Sequence, residues 1–571
     1  MKYHLIQGSL NDINNPIETV LLNRGINDWK HYLSLTEDDI ETWEHLDNIN
    51  KAVACFVRHF ENRDVISILV DTDTDGVCSS TIMAKYIWSI DPEYPVNLIL
   101  HNNNKAHGLS GDFDIPNNTK LLIIPDAATN DVDECIKLIN SGLSVILLDH
   151  HIRSNNQTNP AIVVNNQISE EYYNKDACGA HVTYDFLRAV DEYYWEDYSS
   201  EFVDLVALAD LSDVMSIKSE STKAMVNLGL QNINNKMLKE IIKAQDFSMK
   251  GVINPHTITF YVTPLINSFL RMATLEEREL LTRAFCEIES ETFEYTKRGE
   301  SFPIEENIYE HVVRLMKSYK GKQDRARDKA VKLLLDKASE CDMDKVAIIN
   351  ATEELDGPLT GLVAIRISEA INKPVLLVRD HEGALAGSGR AFDNCPIEDF
   401  RGLVETCPYT DWGQGHNSAF GCQLPKDNVE LAKQWFNDQL RDVSMEKIYH
   451  VDFIIDVDDL DVGFIQEIDR YQNLWGHGVA EPFMAIENIT IKRSDIRVQG
   501  KDSNSVAFTI NDIKFVQFKM DEYDDLLAWA SDWSGDENDQ ITINVVAEVN
   551  VSEWKGIYTP QVTIIENCLV N

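Results

Sequence analysis

Five short apolar runs alternate with helix-like segments between residues 66 and 166, and this pattern constrains the fold more than any other feature of the chain. The runs are ISILVD (66–71), VNLIL (96–100), KLLIIPD (120–126), SVILLDHH (144–151) and AIVVNN (161–166). Strands that alternate with helices predict βαβ units and a mostly parallel sheet. Ligands of such sheets gather at the carboxyl ends of the strands, which is where the acidic residues and histidines of these runs lie.

The remainder of the chain predicts further domains, because 571 residues exceed what one hydrophobic core usually organises. A second α/β segment starts at KVAIIN (345–350), after a charged, helix-prone stretch. About five short β-rich segments with one helical insertion follow residue 485 and suit a small barrel such as an OB-fold. We predict an N-terminal segment (1–50), a parallel-sheet domain (51–270), a helical connector (271–340), a second α/β domain (341–450), a linker (451–484) and an OB-like β-barrel (485–571).

The charge of the chain bears directly on what it can bind. With 94 Asp and Glu against 51 Lys and Arg, the net charge is −43. Taken alone, this balance argues against a nucleic-acid partner, since such proteins ordinarily carry a basic surface. Binding depends on the local potential in a groove, however, and a carboxylate-rich metal centre is strongly cationic once divalent ions are bound.

Cysteine usage and hydropathy indicate a reduced compartment. The ten cysteines include no C-x-x-C pair, which argues against a structural zinc site and a disulfide framework. No stretch approaches the ~18 consecutive apolar residues of a membrane span, and MKYHLIQGSLNDINN lacks the pattern of a secretion signal. We expect a cytoplasmic protein without membrane contact.

The motif Asp71-Thr-Asp73-Thr-Asp75-Gly76 is the most specific chemical signal. Three carboxylates at alternate positions after an apolar strand repel one another unless cations are present. D-x-D-x-D-G also opens a calcium-binding EF-hand loop, but that loop needs a glutamate at position 12, which is Ile82 here. The motif therefore predicts metal binding of another kind.

Further ligand candidates follow the next strands. Asp126 closes one apolar run, Asp149-His150-His151 closes another, and Asp213 lies between apolar helical segments. Each of these is common as a cap or a surface residue when taken singly. Because the carboxyl ends of successive parallel strands converge, we expect them to meet, and this mixture of carboxylates and imidazoles suits Mn²⁺ or Mg²⁺.

The order of these motifs resembles the DHH phosphoesterase superfamily, and the full layout resembles its RecJ-type exonucleases. NRGINDW, HGLS (107–110), CGAHVTYDFL (178–187), DLVALADLSDVMSI (204–217) and PLINSFLRM (264–272) are similar to family segments of the DHH domain. GSGRAF (387–392) and GQGHNSAFG (413–421) resemble the DHHA1 domain, and LWGHGVAEPF (474–483) resembles the link into the RecJ OB-fold. The likeness covers almost the entire chain in order.

The resemblance implies a centre of two divalent ions, Mn²⁺ or Mg²⁺. Asp71, Asp73 and Asp126 would hold one ion, and Asp75, Asp126, His150 and Asp213 the other. A pair of cations can activate water and stabilise the leaving oxygen, so Asp75 and Asp126 count as catalytic, together with His151 as donor to the scissile phosphate. Substrate contacts are implied at six positions: His107, Asn267, Arg271, Ser388, Arg390 and His416.

The chain departs from the family pattern in three places. The P-N-R segment reads Leu100-His101-Asn102, so an arginine that would face the DNA end is missing, with Lys105 or His107 as candidate substitutes. Gln414 replaces the first glycine of the G-G-H motif, and residues 474–482 relax the hinge sequence. The first departure bears on any preference for a 5′-phosphate.

The resemblance implies a 5′→3′ exonuclease specific for single-stranded DNA, with a single-strand-binding protein or helicase as a candidate partner and a role in DNA repair, recombination or replication. One alternative is a nanoRNase-like hydrolase of short oligonucleotides or cyclic dinucleotides, although such relatives generally stop after the DHHA1 domain. Another is an inactive RecJ-like scaffold, although scaffolds lose metal ligands and all expected ligands are present here.

Overall fold

The computed structural model describes residues 1–6, 10–103, 106–154, 157–289, 291–297, 299–341, 343–355, 357–521, 524–532 and 535–570. The chain forms two compact units, and each is built from separated stretches of sequence. One unit comprises Ile26–Lys320 and Gln472–Glu481 and is called the DHH unit below. The other comprises Met1–Gly25, Gly321–Tyr471 and Pro482–Asn571, and it is called the DHHA1–OB unit after the family resemblance of its motifs.

The DHH unit contains a five-stranded sheet in which every neighbouring pair is parallel. In spatial order its strands are Val96–Leu100, Val65–Val70, Thr119–Pro125, Ser144–Asp149 and Ile162–Asn165. Because the central strands are almost entirely buried, their sequences are continuous apolar runs. The predicted parallel sheet is confirmed.

Helices account for most of the remaining DHH unit. The 3₁₀ helices are Glu37–Asp39, Trp43–His45, Gly108–Ser110 and Ser199–Phe202. The α-helices are Trp29–Tyr32, Ile49–Glu61, Thr74–Ile90, Val132–Asn140, Gly179–Tyr194, Val203–Ser212, Glu220–Gln231, Lys236–Met249, Pro255–Thr257, Thr263–Met272 and Leu275–Phe285, with a π-helical turn at Ile258–Val262. Thr74–Ile90 and Val203–Ser212 are buried along nearly their whole length, so both lie in the core of the unit.

The connector is not helical throughout. An antiparallel pair of strands, Thr292–Tyr295 and Ile304–Asn307, precedes the long helix Ile308–Ala338. The charged residues of the connector favour a helix by composition. In TFEY (292–295), however, exposed and partly buried residues alternate, so every second side chain lies on the same face, as in a strand. The boundary between the two units falls within the long helix.

The DHHA1–OB unit contains a five-stranded mixed sheet. Its strands run in the order Trp412–Gly415, Ala419–Pro425, Ala384–Arg390, Val375–His381 and Ala347–Asn350, and the last pair alone is parallel. The helices of this part are Thr360–Ile371, Phe400–Thr406 and Val429–Gln439, with 3₁₀ turns at Ser339–Cys341, Gly357–Leu359 and Lys426–Asn428. Two apolar clusters, one containing Phe400 and Phe436 and the other Val363 and Ile367, form its core.

The C-terminal part is rich in strands, as predicted. Seven strands form one sheet in the order Phe453–Asp456, Met484–Lys492, Gln540–Trp554, Ile557–Leu569, Ile513–Gln517, Ser505–Ile510 and Arg497–Gln499. Its helical elements are Val462–Arg470, Arg493–Asp495 and Asp525–Ser531. At the N-terminus of the chain, Lys2–Leu5 pairs in parallel with Ile448–Val451, and the helix Pro16–Asn23 follows. In the described residues, no helix has both the length and the apolar character needed to cross a membrane.

Candidate metal centre

The three aspartates of the D-x-D-x-D-G motif lie where the strand Val65–Val70 passes into the helix Thr74–Ile90. Asp73 caps this helix by accepting a hydrogen bond from the Gly76 amide at 2.9 Å. A side chain at Gly76 would lie 2.5 Å from Cβ of Asp71, so only glycine lets the helix start this close to the strand. The motif thus brings its carboxylates to one edge of the sheet.

The N-terminal end of the helix Gly179–Tyr194 binds the side chain of Asp75. Its two oxygens accept hydrogen bonds from the amides of Gly179 and Ala180, at 2.6 and 2.7 Å. Both amides belong to the first turn of Gly179–Tyr194, and the positive end of a helix stabilises a carboxylate there. Asp75 is therefore fixed in orientation before any ligand binds.

Asp126 follows the strand Thr119–Pro125 with a left-handed backbone (φ 63°). The side chain is buried, and neither carboxylate oxygen has a hydrogen-bond partner in the described structure. Burying an unpartnered carboxylate is costly, so a cation is the natural partner for these oxygens. Gly179 faces it, and a side chain there would lie 2.5 Å from Cβ of Asp126.

The predicted ligands converge into three overlapping groups. Within each group, one potential ligand atom per residue lies within 4.8 Å of the others. The groups are Asp71, Asp73 and Asp126; Asp75, His150 and Asp213; and Asp126, His150 and His151. The donor set of carboxylate oxygens and imidazole nitrogens fits divalent ions such as Mn²⁺ and Mg²⁺.

Crowding of like charges shifts the ionisation of this cluster. Desolvation inside the crowded cluster, together with Asp71 and Asp75, raises the pKa of Asp73 to about 6, although part of this residue is exposed at the surface. Burial, together with Asp75 and Asp73, raises the pKa of Asp213 to about 8, and the same causes raise that of Asp126 well above its ordinary value. The metal-free cluster therefore retains protons at neutral pH, and cations that replace them relieve the repulsion.

The two histidines after the strand Ser144–Asp149 have different environments. Nε2 of His150 lies 3.2 Å from Asp126 Oδ1 and 3.5 Å from Asp213 Oδ2, and burial lowers its pKa, as suits a neutral ligand. Nδ1 of His151 lies 2.8 Å from Oδ1 of the buried Asp149. Burial alone would lower the pKa of His151, but the hydrogen bond and the charge of Asp149 raise it to about 9. In the metal-free cluster, Asp149 therefore favours the protonated form of His151.

Three predicted substrate contacts lie beside the cluster. Nδ1 of His107 is 2.6 Å from Asp71 Oδ2, and its ring lies 4.8 Å from that of His151. Asn267 accepts a hydrogen bond from the Thr74 hydroxyl at 2.7 Å. Asn267 and Arg271 line a cavity of about 150 Å³, together with Asp73, Asp75 and Asp213. Lys105, the other candidate substitute for the missing arginine, lies outside the described residues.

The other three predicted contacts belong to the DHHA1–OB unit. Ser388 and Arg390 lie on the strand Ala384–Arg390, and both face Gly361, where an added Cβ would be 2.5 Å from Arg390 Nη2. His416 is exposed in the turn between Trp412–Gly415 and Ala419–Pro425. The structure brings Ser388 and Arg390 together around Gly361.

The sequence analysis did not predict the roles of several buried polar residues around the cluster. Asp149 holds His151, and His101 is fully buried with Nε2 3.8 Å from Asp71. His181 and Asp210 form a fully buried pair at 3.0 Å, and Asp210 also accepts from the Cys178 amide, which fixes the helix end that binds Asp75. One signal was available, since His181 stands in CGAHV where the similar family segment reads C-G-A-G-V.

Comparison with known proteins places this geometry in a family. The family model described as the DHH family, N-terminal domain, matches residues 65–209, and the RecJ OB domain matches residues 451–566. A relative from Bacillus subtilis strain 168, named as an SPbeta prophage-derived single-strand DNA-specific exonuclease, YorK, is 34% identical over 99% of this chain and 98% of its own length. The chain belongs to the RecJ family. RecJ of Thermus thermophilus, named as a single-stranded-DNA-specific exonuclease, is 23% identical over 70% of this chain and 56% of its own length.

Solved RecJ structures share the fold. The crystal structure of Thermus thermophilus RecJ in complex with Mn²⁺ superposes with a TM-score of 0.72 and 18% identity, covering 98% of this chain and 78% of that one. The complex of the same protein with Mg²⁺ gives a TM-score of 0.66 at 17% identity, covering 98% and 77%. The expected layout of a parallel-sheet domain, a second α/β domain and an OB-type C-terminal domain is thereby confirmed.

Proposed function

We propose that this RecJ-family protein is a metal-dependent exonuclease that hydrolyses single-stranded DNA from the 5′ end. The observation that carries the proposal is the convergence of five aspartates and two histidines at the edge of the parallel sheet, where the oxygens of buried Asp126 have no hydrogen-bond partner among the described residues. Family membership identifies the chemistry as phosphodiester hydrolysis. The named activity of the relatives supplies the substrate class, single-stranded DNA.

We propose that these residues bind two ions, and the three ligand groups support this division. Asp71, Asp73 and Asp126 would hold one ion, and Asp75, Asp126, His150 and Asp213 would hold the other. When bound, divalent ions at such a centre activate water and stabilise negative charge on phosphate oxygens. The hydrogen bonds from Gly179 and Ala180 orient Asp75, so the ligand set is preorganised by the backbone.

His151 is the proposed proton and hydrogen-bond donor. Because Asp149 accepts from Nδ1, the opposite ring nitrogen, Nε2, is available to donate to a phosphate oxygen. A cationic imidazole stabilises the charge that develops on the phosphate in the transition state. No covalent intermediate is required in this scheme.

Substrate contacts extend the proposal beyond the metal ligands. Asn267 and Arg271 line the cavity next to Asp73 and Asp75, where they can bind a phosphate or sugar of the strand. His107, beside Asp71, is the described residue proposed to face the 5′ end. Ser388, Arg390 and His416 are proposed as phosphate contacts within the DHHA1–OB unit. The C-terminal sheet, matched by the RecJ OB domain, is proposed to bind the strand by base stacking.

The cellular role is proposed on the same basis. A single-stranded DNA substrate suits a cytoplasmic enzyme of repair, recombination or replication that works with a single-strand-binding protein or a helicase. We also propose that the functional domains follow the predicted bounds: DHH at 51–270, DHHA1 at 341–450 and OB-like at 485–571. Truncation at residue 484 would test the last boundary.

Digestion of end-labelled DNA tests the proposal. A long single strand labelled at either end, a matched duplex and a dinucleotide are incubated with Mn²⁺, with Mg²⁺ and with chelator. We expect the 5′ label of the single strand to be released first, only with a divalent ion, while the duplex stays intact. Asp126→Asn should abolish hydrolysis, with Asp114→Asn, an exposed acid of the same unit, as the matched control.

Two outcomes would contradict the proposal. Preferential hydrolysis of the dinucleotide would indicate the short-oligonucleotide hydrolase instead. Absence of hydrolysis with either ion in a protein that binds Mn²⁺ would indicate a scaffold.

A further inference from the structure

One face of a continuous helical run leads away from the metal centre. The run joins the α-helix Pro255–Thr257, the π-helical turn Ile258–Val262 and the α-helix Thr263–Met272. Its accessible positions, spaced by three or four residues, are His256, Phe260, Pro264, Asn267 and Arg271, and most residues between them are buried. Positions with this spacing form one stripe along a helix.

The two ends of the stripe differ in chemistry. At the C-terminal end, Asn267 and Arg271 line the cavity that Asp73, Asp75 and Asp213 also border. At the other end, Phe260 is 62% exposed. The helical rise places Phe260 ~10 Å from Asn267 along the axis. An exposed aromatic side chain therefore lies on the same surface as the proposed phosphate contacts, at a distance that a bound strand can span.

The Phe260 ring is in contact with a second ring. The ring of His256, one turn earlier, stacks on it with centroids 4.4 Å apart and an interplanar angle of 28°. This support fixes the orientation of the Phe260 ring, so a flat π-surface faces solvent without being buried by the protein. Phe260 itself lies in the π-helical turn, a rare element that occurs frequently at functional sites.

We infer that the His256–Phe260 ring pair is a stacking platform for one base of the single-stranded substrate, near the end that is cleaved. The inference rests on the proposed function and adds a contact that binds the flat face of a base. Stacking on an aromatic ring tolerates every base, as an exonuclease that proceeds along a strand requires. In a protein with a net charge of −43, an uncharged contact also adds affinity without needing a basic surface.

The test combines kinetics with fluorescence. We expect Phe260→Ala to raise KM for a single-stranded oligonucleotide roughly tenfold while kcat stays within about twofold, because stacking binds the ground state and the transition state alike. Phe260→Trp retains a ring and should behave like the wild type. The matched control is Phe302→Ala, which removes another exposed phenyl ring from the same unit and should leave KM unchanged.

The fluorescence arm locates the base. In a His151→Ala background with Mn²⁺, 2-aminopurine is placed at each of the first nucleotides from the 5′ end in turn. One position should be quenched on binding, and Phe260→Ala should remove that quenching while Phe302→Ala preserves it. If the wild type degrades single strands but Phe260→Ala matches Phe302→Ala in both KM and quenching, the platform is wrong and the proposed function stands. If the wild type degrades no single strand, the proposed function fails first.

Discussion

Removal of divalent ions should make the stability of this protein fall as the pH rises. The cause is the cluster around Asp126, in which several carboxylates are brought together and the buried Asp126 oxygens have no hydrogen-bond partner among the described residues. The raised pKa values of Asp73 and Asp213 mean that both take up protons on folding. Their stabilisation is fully present below the unfolded pKa, near 3.8, and is lost as the pH rises through the folded values of about 6 and about 8.

The magnitude can be worked out for Asp213. A rise from 3.8 to about 8 would correspond to ~6 kcal/mol, since each tenfold change in an ionisation constant is worth ~1.4 kcal/mol. The side chain is 37% exposed, so solvent screening reduces this to ~2 kcal/mol. The variant Asp213→Asn, which carries no charge to repel its neighbours, should then exceed the wild type by ~2 kcal/mol at pH 8.5, and the difference should shrink towards the unfolded pKa of 3.8, to ~1 kcal/mol or less at pH 4.5.

Thermal unfolding measures this difference. Wild type, Asp213→Asn and the control Asp114→Asn are unfolded between pH 4.5 and pH 8.5, with chelator and with Mn²⁺. In chelator, the advantage of Asp213→Asn should grow with pH to roughly 3 °C in Tm. In Mn²⁺ the order should reverse, because the variant has lost a ligand and gains less from binding.

The control decides between a local and a global cause. Asp114 is exposed and carries the same charge, so Asp114→Asn measures how much the loss of any one carboxylate stabilises the protein by lowering its net negative charge. Equal pH dependence of the two variants would refute the reasoning. So would an Asp213→Asn protein that is less stable than the wild type in chelator at pH 8.5.

Three further predictions follow from the same geometry. His151→Ala should lower kcat at least ~100-fold yet keep the Mn²⁺-induced rise in Tm, whereas loss of that rise would make His151 a ligand. Gly179→Ala should weaken Mn²⁺ binding ~10-fold in calorimetry, because its Cβ would displace Asp126, while the helix-interior change Gly321→Ala should leave affinity unchanged; equal affinities would contradict the contact. The affinity for single-stranded DNA should fall less steeply with added salt than it does for basic DNA-binding proteins, which release many counterions on binding. A steep fall of the affinity in a salt titration would contradict this and would indicate a basic surface patch despite the acidic composition.

The parallel sheet could be predicted because buried parallel strands leave a simple sequence signal. The predicted run 96–100 coincides with the observed strand Val96–Leu100, and the run at 144–151 contains Ser144–Asp149. The convergence of Asp71, Asp126 and His150 followed from the same signal, since strand ends in one sheet share an edge. The assignment of residues as ligands came from the family resemblance. The structure adds that the ligand atoms of these residues lie close together.

Other features left no such signal. The pairing of Lys2–Leu5 with Ile448–Val451 joins segments that lie far apart in the sequence, and neither has a pattern that identifies its partner. His101 and the His181–Asp210 pair are single polar residues inside apolar or mixed segments. Their roles depend on which backbone and side-chain groups surround them, and that is set by tertiary packing alone.

The acidic composition and the proposed substrate are reconciled by the metal centre itself. Asp71, Asp73, Asp75, Asp126 and Asp213 put up to five negative charges at the edge of the sheet, and a phosphate approaching the metal-free cluster would be repelled. The two proposed divalent ions would contribute four positive charges at the same place and offset most of this negative charge. The repulsion would then be largely removed where cleavage occurs, because the ions can bind phosphate oxygens directly, and a strand would be held elsewhere by uncharged contacts such as base stacking.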